Sequence, residues 1–115
     1  MSNSEIEKSK SFVLNKALDY ISGSIIIKTI IKKPTGTVTI SAFDKGEVLT
    51  GKVSQFDTLV QVVEGSVELL LNSESHFLES GEAIIIPAHT ANIFKATDRF
   101  KMITITIKSG YEEVL

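Results

Sequence analysis

Residues 46–65, GEVLTGKVSQFDTLVQVVEG, set Lys52, Ser54, Asp57 and Thr58 between two glycines, just ahead of an apolar strand-like run, Leu59 to Val63. Polar side chains this close to a run of core type are a reactive site, a ligand contact or a loop. A lysine desolvated in a protein interior loses basicity and becomes a nucleophile or base. More commonly its ammonium stays in water or pairs with a carboxylate. Ser54 has no histidine near it in sequence, so no nucleophile–base pair is visible. No glycine-rich loop follows a strand and opens a helix, which removes the usual phosphate cradle. The chain has no cysteine, which excludes disulfides, thiolate metal sites and cysteine nucleophiles. His76 and His89 are the whole imidazole inventory and stand 13 positions apart. A metal site within one chain therefore has at most two imidazole ligands. The neighbouring carboxylates read as solvated: Glu79 and Glu82 flank a turn, and Glu112 and Glu113 lie in the tail.

These residues need a frame, and the chain has the length of one domain, 115 residues. At that size folding buries roughly two-thirds of the unfolded surface, enough for a core without staples. Residues 1–11 are polar and mixed in charge and read as a flexible leader, with residues 12–115 as the folded domain. The leader lacks the apolar segment of a signal peptide, and no apolar run approaches the ~18 residues of a membrane span. Those absences point to the cytoplasm and to no membrane partner. Net charge is −2 with both signs interspersed, so no basic stripe for nucleic acid is present. Aromatic residues are 7% with no tryptophan, which weakens any base-stacking platform.

Residues 12–21 have the spacing of a short helical turn, ended by Gly23. From there the pattern is β. Residues 24–31, 37–43, 58–63, 66–71, 76–78, 82–86, 91–96 and 100–108 read as strands, with Glu64-Gly65 as a tight connection. TVTISAF (37–43) alternates cleanly: Val38, Ile40 and Ala42 on one face, Thr37, Thr39 and Ser41 on the other. Pro87 ends its strand because it lacks a ladder donor. Short strands with turns every few residues predict an all-β sandwich or barrel, and no strand–helix–strand rhythm supports a parallel sheet.

The punctuation carries a resemblance. Gly46 is followed after five residues by Lys52-Val53-Ser54, after three more by Thr58, and after six more by Gly65. Gly81 is followed after five residues by Pro87-Ala88-His89, then after two by Asn92. This spacing resembles the two motifs of the cupin superfamily, and the likeness runs over about residues 13–108, including VVEGSVELLL and GEAIIIPAHTANIF. It implies a small antiparallel double-sheet jelly-roll barrel with a short N-terminal helical turn. It also implies that Lys52, Ser54, Thr58 and Asn92 stand where metal-binding cupins have three histidines and a glutamate. Ammonium, hydroxyl and amide groups are poor transition-metal donors, so the resemblance locates a site while its residues predict no metal and no cofactor. His89 falls where the family has a glycine, and reads as a rim histidine or one that swings inward. Asp57 and Gln61 should face away from Thr58 by alternation.

Two functions follow. The first is a metal-free cupin that binds a small polar molecule through Lys52, Ser54, Thr58, Asn92 and His89, or serves as a structural or sensory module. The second is a cofactor-independent isomerase or epimerase acting on a sugar or small acid, with Lys52 or His89 in acid–base work. No coherent catalytic constellation supports the second. The resemblance also implies a homodimer, for which the apolar strand SIIIKTII (24–31) is the candidate for exchange or sheet extension.

Overall fold

The computed structural model describes residues 6–108. The beginning of the leader and the Glu112-Glu113 pair lie outside them. Eight strands form among the described residues: β1 Ile25–Lys33, β2 Gly36–Phe43, β3 Val48–Thr50, β4 Thr58–Leu71, β5 Glu74–Glu79, β6 Ala83–Ile86, β7 Asn92–Lys95 and β8 Phe100–Ile107. All pairings are antiparallel, in the order β1-β2-β8-β4-β7-β3, with β5 and β6 also on β4. The strands form two sheets of a jelly-roll barrel, and β4 belongs to both. β1 lies at one end of the strand order. No helix among the described residues is long and apolar enough to cross a membrane.

One expectation is corrected. The Glu64-Gly65 connection is not a turn: β4 runs unbroken for 14 residues. Its register against β8 shifts between Val62 and Glu64, and Gly65 has φ +80°. The bulge bends the strand from one sheet into the other without reversing it. A Cβ on Gly65 would lie 1.9 Å from the Arg99 carbonyl oxygen, so the bend needs a residue without one. The short helical turn expected within 12–21 forms as a single 3-10 turn, Leu14–Lys16. The short β3 leaves no signal in the sequence, because only Leu49 of its three residues faces inward, too few to show a period.

Two apolar clusters hold the fold. The inner one fills one end of the barrel with Phe43, Val60, Val62, Val67, Leu69, Phe94, Phe100 and Met102. The outer one lies on the back of the sheet, where Ile30, Ile40 and Ala42 pack with Leu18. Ile6, Leu14, Ala17 and Tyr20 pack around it, so the N-terminal segment is a strap across the outer face. The Ile6 amide donates to the Ile30 carbonyl at 3.4 Å.

The strap explains the alternation of β2. Its apolar face, Val38, Ile40 and Ala42, turns outward because the strap covers it. Its polar face turns into the barrel.

A clasp fixes the strap. The Tyr20 hydroxyl donates to Glu64 Oε2 at 2.6 Å and the Asn15 amide to Glu64 Oε1 at 3.1 Å. Lys101 Nζ donates to the Asn15 carbonyl and sits 4.8 Å from the Tyr20 ring centroid. Below the strap, Asp44 accepts from the Gly23 amide at 2.7 Å and from Arg99 Nε at 2.8 Å.

Candidate functional site

The inward face of β1, β2, β8 and β4 changes along the barrel axis. Strand register aligns Thr37, Thr106 and Thr58 in one row, Thr39, Thr104 and Val60 in the next, then Ser41, Met102 and Val62, and finally Phe43 and Phe100. Hydroxyls at one end give way to stacked rings at the other, because every second residue returns to the same face. Between the hydroxyl rows and the opposite sheet lies a cavity of about 240 Å³.

The loop from β3 to β4 borders this cavity and brings Lys52 and Ser54 to it, with Thr58 at the start of β4 and Asn92 at the start of β7. The four motif positions therefore line one space. Lys52 is exposed and makes no ion pair among the described residues. The Ser54 hydroxyl accepts from the Phe56 amide at 3.0 Å, and its carbonyl accepts from the His89 amide at 2.7 Å. Thr58 and Thr106 share a hydroxyl–hydroxyl bond at 3.0 Å.

Asn92 is buried and committed. Its amide nitrogen donates to the Thr90 carbonyl at 3.1 Å. Its oxygen occupies the place a Cβ on Gly51 would take, 1.8 Å from that position.

His89 is exposed, with φ 63°, and does not line the cavity. It is joined to the site only through its backbone amide. Asp57 lies outside the cavity and accepts from the Ala88 amide at 2.9 Å, which ties the two loops together. Gln61 also lies outside it. His76 stands within β5, half-buried, 3.8 Å from Glu74.

A larger groove, about 470 Å³, opens on the outer face and is lined largely by Leu59, Ile85, Ile105 and Ile107. Among the described residues, its only titratable lining side chain, Asp57, is already bonded, so the interior cavity carries the polar chemistry.

The resolved pKa shifts lie at the clasp, away from the cavity. The Tyr20 hydroxyl bond holds the Glu64 carboxyl below its ordinary range, with Lys101 and Asn15 helping and burial opposing. Burial, then Glu64, pushes the Tyr20 phenol up. The Gly23 amide, then Arg99 and the Lys45 amide, bring Asp44 down to about 2.

No protein-family model and no curated protein matches the sequence. Solved structures do match. A conserved protein of unknown function from Streptococcus pyogenes superposes with TM-score 0.85 at 22% identity, over 91% of this chain and 92% of that one. A cupin superfamily protein from Desulfitobacterium hafniense gives TM-score 0.84 at 17% identity, over 92% and 96%. At such identities the likeness speaks for the fold alone. A cupin 2 conserved barrel domain protein from Leptotrichia buccalis is 32% identical with TM-score 0.81, over 84% of this chain. This chain spans 47% of that protein's length.

The chain is a small cupin-domain protein. The metal that many cupins hold would sit among Lys52, Ser54, Thr58 and Asn92. That donor set does not fit a transition metal: one ammonium, two hydroxyls and an amide offer neither imidazole nor carboxylate. Asn92 is also engaged with Thr90 and Gly51. No cluster of three or more His, Cys, Asp or Glu side chains suited to a metal occurs among the described residues. What sequence reasoning missed in this cupin is the hydroxyl wall itself, Thr39, Ser41, Thr104 and Thr106. The signal was present in TVTIS and TITI, but the strap that reverses their faces was not.

Proposed function

We propose that this cupin binds a small polar molecule inside its barrel without a resident metal ion, as a binding or sensory module, and does so as a homodimer. The supporting observation is that Lys52, Ser54 and Thr58 meet Thr39, Ser41 and Thr104 around one cavity to which no described residue brings a carboxylate or imidazole. A concave site with a few polar groups over apolar walls is the usual form of a small-molecule pocket. The cofactor-independent isomerase reading draws less support. Lys52 is exposed rather than desolvated, and His89 lies outside the lining, so no acid–base pair faces a common point. Protein purified without chelator should run as a dimer in light scattering at micromolar concentration and carry no stoichiometric transition metal. One metal per chain that survives dialysis, or a monomer mass, would overturn the corresponding half of the reading.

A further inference from the structure

We infer that the ligand is a small hydroxylated monocarboxylate, held with its carboxylate at Lys52 and its hydroxyls along the Thr39–Ser41–Thr104 wall. The inference rests on the interior cavity being a small-molecule site, and it adds the class of ligand.

Charge is the first argument. Among the described residues, Lys52 is the sole ionisable side chain lining the cavity, and its ammonium has no ion-pair partner there. The site therefore offers one positive charge and nothing to neutralise it, which favours an anion and disfavours a cation. A second negative charge on the ligand would meet only neutral groups and an apolar floor of Val60, Phe94 and Met102. Desolvating it there is unfavourable, so a monoanion fits better than a dianion.

Hydrogen-bonding capacity is the second. Thr58 and Thr106 satisfy one another at 3.0 Å. The Thr39, Ser41 and Thr104 hydroxyls line the cavity and make no hydrogen bond with any described residue. Each can donate and accept, which suits a ligand bearing hydroxyls of its own.

Size is the third. A cavity of about 240 Å³ falls below the roughly 300–1,000 Å³ of drug-sized sites, so the ligand is a small metabolite.

The test is an NMR titration of isotope-labelled protein with glycolate, glycerate, threonate and gluconate, each beside its neutral primary amide. At least one acid should shift the Ser41, Ser54 and Thr104 amides saturably, and should bind about tenfold more tightly than its amide, the difference expected between charged and neutral hydrogen bonds. Lys52→Met should remove that advantage, so that acid and amide bind about equally. Because Lys52 is exposed, the variant should fold normally, and its thermal midpoint checks this. Thr104→Val should weaken acid and amide alike. Equal binding of acid and amide, or an acid advantage that survives Lys52→Met, overturns the carboxylate assignment while interior binding stands. If none of the compounds shifts the lining amides, the ligand class and the binding role both fall.

Discussion

The two ends of the barrel interior are made by the same strands, in continuous register, and are opposite surfaces. β2 and β8 pair without a break from Gly36 and Ile107 to Phe43 and Phe100. At one end their inward side chains are Thr37, Thr39, Thr104 and Thr106. At the other, Phe43 stacks on Phe100 with ring centroids 4.5 Å apart, and Phe94 tilts against Phe43 at 6.4 Å. The closed end is stabilised from inside, by rings that are fully buried or nearly so. Behind the hydroxyl end the stabilisation comes from outside, where Val38, Ile40 and Ile103 lie under the strap. A strand can leave part of its inner face open for a ligand when its outer face is buried instead.

The largest effect should come from the bend that closes the apolar end. Gly65→Ala would set a Cβ against the backbone of Arg99 and Phe100 at positive φ, where only a backbone shift relieves the clash. Strain and overpacking together should destabilise the protein by about 3–5 kcal/mol, read from the denaturant midpoint. A loss within 0.5 kcal/mol would mean that the bend of β4 does not secure this end.

An intermediate effect should come from acid, acting on the strap rather than on the barrel. Glu64 and Asp44 have folded pKa values below their ordinary ones. Their contributions are complete above the ordinary carboxylate range and are lost as pH falls through the folded values, which for Asp44 is about 2. Between about pH 4.5 and 2, hydrogen exchange at the Ala17 and Ser24 amides should accelerate before exchange at Phe43 and Phe100. Glu64→Gln keeps the shape of the clasp and should remove the Glu64 part of that pH dependence. Simultaneous loss of protection at both places would mean that strap and closed end unfold as one unit, and the contrast between inside and outside support would fail.

Much of this architecture is legible in the sequence, for physical reasons that also mark where legibility stops. Alternation and turn residues locate most strands because period-2 patterning and the chemistry of Gly and Pro are local. Glycine spacing places Lys52, Ser54 and Thr58 at one site because it reflects backbone geometry. Gly65 reads as a turn in the sequence because positive φ serves a bulge and a turn equally well, and only the partner strand decides between them. The direction of Thr39 and Ser41 depends on Leu14, Ala17 and Leu18, which are distant in sequence and carry no sign of where they dock. Asn92 matched a motif position, but its amide is turned by the absence of a side chain at Gly51, a contact that no strand pattern contains.

The smallest effect tests the hydroxyl end most directly. Thr39 sits half-buried at the cavity wall, and its hydroxyl bonds no described residue. Thr39→Val keeps the branched shape that suits a strand and removes only the polar atom. If the hydroxyl serves a ligand and not the fold, the thermal midpoint should stay the same or rise, a change within about 0.5 kcal/mol. A loss above ~1 kcal/mol would mean that the hydroxyl supports the fold itself, as a satisfied hydrogen bond does. The open end would then be a structural layer like the closed one, with hydroxyls in place of rings.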